Sequence, residues 1–126
     1  MTYRDYGYPS YLAYTFGKEF ARLRKRCAST NTFSKYCYVC DDPHYVVHHE
    51  NYERLGDEDL KRDVVALCQT HHTQVHFDEM GQRIPLDPGT LRTRRVALRK
   101  SHLKRQLRNP DRVWPTLGRL LYRLFW

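Results

Sequence analysis

The stretch 46–76, "VVHHENYERLGDEDLKRDVVALCQTHHTQVH", decides the fold. Its opening is rich in β-branched and aromatic neighbours, which predicts a short strand at about residues 45–49. A polar loop with a glycine in its middle follows over 51–63, and a second apolar run, "VVALC", reads as another short strand. Residues 69 to about 80 are predicted helical, ended by Gly81 and then Pro85. Strand, long loop, strand and helix in that order make a small α+β unit.

Outward from this unit, residues 11–26 are predicted as one helix, because Leu12, Phe16, Phe20 and Leu23 recur at three- and four-residue steps with basic residues opposite. "CASTNTFSKYCYVCDDP", 27–43, is a turn-rich loop that contains a C-x2-C pair. "LDPGT", 86–90, reads as a linker, and helices are predicted over 90–108 and 114–125. The second of these carries an apolar stripe of Leu117, Leu120, Leu121 and Leu124. The chain of 126 residues has room for one modest core. It therefore divides within a single domain into an N-terminal helix and loop (1–36), a central core (37–80) and a basic helical extension (81–126).

No apolar run approaches the length of about twenty residues needed to span a membrane, and the first residues lack the pattern of a secretory signal. A soluble protein of a reducing compartment, cytoplasmic and without a membrane partner, is the expectation. In that setting four cysteines, two of them as C-x2-C, favour a metal over disulfides. The net charge of +8 is unevenly placed. Residues 1–40 carry seven Lys/Arg against two acids and 81–126 carry twelve against two, whereas 41–63 carry three against eight. Basic arms about an acidic centre suit a site that holds cations beside a polyanion, although basic helices also occur merely as solvated faces.

Cys37, Cys40, Cys68 and His71 form C-x2-C…C-x2-H, two ligand pairs separated by 27 residues. Four such donors fill a tetrahedral zinc site and leave no position for water, so this zinc is structural. It clamps the loop before the first strand to the start of the helix. His72 and His76 stand one helical turn apart and share a face, which allows either one metal gripped by both or a pair of solvated imidazoles. His71 lies about 100° round the helix from His72, so the adjacent histidines can serve two different metals. His48 and His49 sit on a strand, where successive side chains point to opposite faces. One can be a ligand while the other faces substrate. His44 and His102 have no partner at metal spacing, and Cys27 is either a small buried residue, a free thiol or an alternative zinc ligand.

Taken with "CYVC", the stretch resembles the HNH endonucleases of the ββα-metal fold, whose pattern runs V-H-H-x-x-Y-x-x-x-G-x-E, then Asn or Asp, then L-C-x-x-C-H-x-x-x-H. The resemblance covers residues 37–76 and not 81–126. It implies that His48, His72 and His76 bind a catalytic divalent metal and that His49 is the general base. Two positions depart from the pattern: His71 stands where a cysteine is usual, and Asp63 where asparagine is frequent. A carboxylate at Asp63 can orient His49 or cap the strand, and Asn51 is a nearby alternative.

What the resemblance implies is hydrolysis of DNA phosphodiester bonds to 5′-phosphate and 3′-hydroxyl ends, by nicking or double-strand cleavage. An imidazole that titrates near neutrality can take a proton from water. Three imidazoles bind Zn2+, Ni2+ or Co2+ more tightly than Mg2+ or Mn2+, although the latter exchange phosphate more readily. The helix bearing Arg94, Arg95, Arg99, Lys100, Lys104 and Arg105 is placed along the DNA backbone. The leucines of 114–125 would dock on the core or on a second chain, as in a homodimer. Two other classes stay open: a zinc-stabilised nucleic-acid-binding module that does not cut, and a subunit of a phage, restriction or mobile-element machine, bacterial or phage-encoded.

Overall fold

The computed structural model describes residues 2–108. A 3-10 turn over Tyr3–Tyr6 leads into helices α1 (Tyr11–Thr15) and α2 (Lys18–Ser29). After a long loop come strand β1 (Val46–His49), strand β2 (Val64–Leu67), helix α3 (Gln69–His76) and helix α4 (Pro88–Arg108). The class is α+β: helices about a two-stranded antiparallel sheet, with Val46 opposite Leu67, His48 opposite Val65 and His49 opposite Val64. The helix predicted over 114–125 lies outside the described residues.

Both faces of this small sheet are covered, and strand alternation decides what each face receives. Val47, Val64 and Ala66 turn toward Tyr14, Phe20, Leu23 and Cys27 of the two N-terminal helices. Leu67 turns the other way, onto Val75 of α3, Leu91 of α4 and the loop residues Cys37 and Val39. Burial on both sides explains why "VVHH" and "VVAL" are apolar nearly throughout rather than alternating with polar residues.

One predicted helix is two. The chain breaks at Phe16–Gly17, and Gly17 starts α2 as its N-cap in an extended conformation. Tyr8 is the reason. Its hydroxyl donates to the buried Glu19 carboxylate at 2.5 Å, and the approach brings it so near Gly17 that an added Cβ would lie 2.0 Å from the oxygen. The break rotates α1 away from the expected stripe, so Tyr14 is buried while Leu12 and Phe16 are 67% and 83% exposed. Phe20 and Leu23 keep the inward position expected of them. Helix α3 is shorter than predicted, since Phe77 leaves it to pair with Arg83 in an isolated antiparallel bridge.

The loop between the strands is tied at its ends. Arg54 donates two hydrogen bonds to Asp63, at 2.8 and 2.5 Å, and the Asp59 amide adds a third at 2.8 Å. Inside the loop Gly56 has φ +90°, a left-handed conformation that favours glycine, and the Tyr6 hydroxyl occupies the space a side chain there would need.

Candidate metal centres and the histidine pair

The loop turn at 37–42 is closed by backbone hydrogen bonds from Asp41 to Cys37 and from Cys37 to Asp42, which point both thiols of the C-x2-C inward. Cys68 directly follows β2 and is the N-cap of α3, so His71 comes round one turn later on the same side. Cys37, Cys40, Cys68 and His71 converge, with ligand atoms within 4.8 Å of one another. Their spacings test the fit. Two sulfurs at about 2.3 Å from one tetrahedral ion stand about 3.8 Å apart, and Cys40 Sγ and Cys68 Sγ are 3.8 Å apart. His71 Nδ1 lies 3.2 Å from Cys68 Sγ and 3.6 Å from Cys37 Sγ. These separations far exceed a disulfide bond. Burial pushes the Cys37 thiol up, but backbone amides of Cys68, Cys40 and Val39 outweigh it and hold the group below the usual thiol range. Burial and the neighbouring Cys37 push Cys40 up to about 12, so a second thiolate needs a cation beside it. This Cys3His cluster can hold a metal such as zinc.

On the same side of the sheet β1 presents His48 to α3. The His48 ring centroid is 5.3 Å from that of His72 and 5.0 Å from that of His76, and the latter two are 4.8 Å apart. His48 is fully buried, yet neither ring nitrogen has a hydrogen-bond partner. Buried polar atoms are nearly always paired, so the two orphaned nitrogens, with ligand atoms of His48, His72 and His76 within 4.8 Å of one another, mark a place that can hold a cation. Burial, then the charges of His72 and His76, pushes His48 down to about 2. Burial pushes His72 down to about 4 and lowers His76 as well. All three are therefore neutral at pH 7, with lone pairs available to an ion.

His49 turns to the other face, against α1 and α2. Its Nε2 lies 2.6 Å from Glu58 Oε2, and its Nδ1 lies 2.8 Å from the Tyr11 hydroxyl. Tyr52 stacks on the ring at 5.8 Å and Phe20 lies at 5.4 Å, leaving His49 1% exposed. Glu58 is itself held on every side: the Tyr14 hydroxyl donates to Oε2 at 3.1 Å and the Gly56 amide to Oε1 at 3.0 Å. Burial pushes its carboxyl up, but the hydrogen bond from His49 and its other partners outweigh this and hold it below the ordinary value.

The carboxylate on His49 is thus Glu58, not Asp63. Asp63 is fully buried, and both its oxygens are taken by Arg54 and the Asp59 amide, so it closes the loop. Asn51 likewise accepts from the Glu53 amide within the loop. Glu58 had a signal in the sequence, the G-x-E of the quoted pattern; Tyr11 had none.

The six basic residues placed on DNA separate into two groups. Arg95 donates to both oxygens of Glu50, at 2.5 and 2.8 Å, and lies over the Tyr38 ring at 4.3 Å. Arg99 donates to the Tyr38 carbonyl, and Arg94 to the Gln74 carbonyl at 3.0 Å. These three fasten α4 to the core; a charge count cannot distinguish such clamps from phosphate contacts. Lys100, Lys104 and Arg105 are exposed. His102 of α4 packs 6.2 Å from His71, with its Nε2 buried and unpartnered. A cavity of about 450 Å³ opens beside Cys37, between Tyr36, Lys61 and β2, and touches neither His48 nor His49.

No family model, curated protein or solved structure matches the chain. Among the described residues no helix is long and apolar enough to cross a membrane.

Proposed function

We propose that this chain is a metal-dependent HNH endonuclease that hydrolyses DNA phosphodiester bonds, with a structural zinc in the Cys3His cluster. The observation that carries the reading is the buried His48, with both nitrogens orphaned between His72 and His76, one residue before an imidazole braced by a carboxylate. His48, His72 and His76 would hold the catalytic ion. When bound, a divalent ion supplies Lewis acidity and a template for the phosphate.

The remaining steps belong to side chains of this chain. His49 takes a proton from water on a ring nitrogen, and Glu58 balances the charge of the imidazolium that forms. The water oxygen bonds to phosphorus as the bond to the 3′ oxygen breaks, and the departing alkoxide takes a proton from solvent water, giving 5′-phosphate and 3′-hydroxyl ends. Lys100, Lys104 and Arg105 on α4, with Lys18, Arg22 and Lys25 on α2, are exposed cations for the polyanionic backbone.

The sealed position of His49 favours a second reading, a zinc-stabilised nucleic-acid-binding module that does not cut. One assay separates the two. Supercoiled plasmid is incubated with protein dialysed against chelator, and Mg2+, Mn2+, Zn2+, Ni2+ or Co2+ is added singly. Nicked or linear product from the wild type, lost in His48→Ala and reduced about 10²- to 10⁴-fold in His49→Ala, supports the endonuclease. Retarded plasmid without cleavage under every metal decides for the binding module.

A further inference from the structure

His49 is closed in a way that the hydrolysis leaves unexplained. A general base needs a ring nitrogen with an accessible lone pair. In the neutral imidazole that a base requires, Nε2 must carry the proton it donates to Glu58, so the lone pair is on Nδ1. That is the nitrogen 2.8 Å from the Tyr11 hydroxyl, which donates to it. The Tyr11 ring adds a second barrier, standing edge-on to His49 at 5.8 Å and to Tyr52 at 5.1 Å.

The element that brings Tyr11 here is fixed through Tyr14, not through Tyr11. Helix α1 has five residues, too few to be stable alone; its Leu12, and Phe16 just after it, are exposed, and Tyr14 is its fully buried side chain. Tyr14 anchors the helix, with its ring packed in the core against Tyr8 and Phe20 and its hydroxyl donating to Glu58, whereas Tyr11 is half-buried and its hydroxyl bonds His49. Each such bond contributes modestly once exchange with water is counted. A half-buried side chain held by one such bond can swing outward while Tyr14 keeps α1 in place.

We propose that the Tyr11 side chain is a latch over His49, withholding the base until the Tyr11 hydroxyl leaves Nδ1. The proposal rests on the reading of His49 as general base, and it assigns to a residue outside the 37–80 core the control of that base.

Diethyl pyrocarbonate, which acylates accessible neutral imidazoles, tests it on the full zinc-loaded chain, with each histidine read by mass spectrometry. His44, whose side chain is 95% exposed, is the internal standard. In the wild type His49 is expected to react at least about a hundredfold more slowly than His44, the protection of a locally closed site. Tyr11→Phe keeps the ring and loses the hydroxyl. It is expected to speed His49 modification about fivefold, the equivalent of one net hydrogen bond, and to raise plasmid nicking by a similar factor. Tyr11→Ala should expose His49 further. Wild-type His49 reacting as fast as His44, or an unchanged His49 rate in Tyr11→Phe, overturns the latch. Tyr11→Phe with faster modification and slower nicking also overturns it, since the hydroxyl would then be taking part in cleavage. Should the wild type nick plasmid with none of the metals, the endonuclease reading fails while the modification rates still decide whether Tyr11 covers His49.

Discussion

On the α3 side of the sheet His48 keeps both ring nitrogens unpartnered, whereas on the α1–α2 side His49, the next residue, has both engaged. Both rings are buried to the same degree. An unpaired buried polar group costs about 1–3 kcal/mol, so without an ion the His48 side carries a cost that the His49 side does not. An ion held by His48, His72 and His76 offsets that cost. The two faces therefore call for opposite outcomes from similar substitutions.

The largest expected effect removes both faces together. The Cys3His cluster joins the loop before β1 to the start of α3, and structural zinc binding is worth about 10–16 kcal/mol in small domains, as much as the whole stability of a typical fold. Cys40→Ala should lose cooperative unfolding in circular dichroism and retain no zinc by mass spectrometry. A natively folded, zinc-free Cys40→Ala protein would refute the clamp.

Next in size, leucine at each histidine should separate the faces in protein freed of the second metal. His49→Leu strands the buried Glu58 carboxylate and should cost about 3–5 kcal/mol in urea unfolding, the usual effect of removing one partner of a buried pair. His48→Leu removes a side chain that has no partner to lose, and should be neutral or stabilising by up to about 3 kcal/mol. Equal destabilisation by the two would erase the comparison.

The placement of these histidines was legible in the sequence because it follows from short periods. A two-residue repeat sends His48 and His49 to opposite faces, and a 3.6-residue repeat brings His72 and His76 onto one side with His71 turned away. The same local geometry gathers the Cys3His donors. The partners of His49 were not legible. Tyr11 is 38 residues away and reaches it only because Tyr8, docking on Glu19 over Gly17, breaks the predicted helix in two. Ten tyrosines scattered along the chain have no spacing that announces such contacts. Asp63 had the better sequence position for the orienting role, but Arg54 claims it through the loop closure.

Acid should strip the two faces in order. Burial pushes His48 down to about 2 and His72 down to about 4, while an unfolded histidine titrates near about 6.5. Below about pH 6.5 the unfolded chain takes up protons that the folded one does not, so this contribution is whole above that pH and declines as pH falls toward the folded values. Glu58 and Asp63, both held below their ordinary values, contribute stability above about pH 4 that is lost only on further acidification. Urea midpoints at pH 7 and pH 5, without the second metal, should drop in the wild type and drop less in His72→Leu. Identical pH slopes would contradict the assigned neutrality of the α3 side.

A smaller effect distinguishes the cations of α4. Arg95→Gln leaves the buried Glu50 without its two hydrogen bonds and should lower stability with little change in the salt dependence of DNA binding. Lys104→Gln should leave stability within about 0.5 kcal/mol and reduce the salt slope by about 0.9. Reversed results would put Arg95 on the phosphates and Lys104 in the structure.

The central claim is that the unpartnered His48 side is a metal site separate from the Cys3His cluster. Metal stoichiometry tests it most directly: zinc-loaded wild type and His48→Leu are titrated calorimetrically with a second divalent ion, and bound metal is then counted per folded chain. Two metals in the wild type and one in His48→Leu is the predicted result. One metal in both, or two in both, would contradict it.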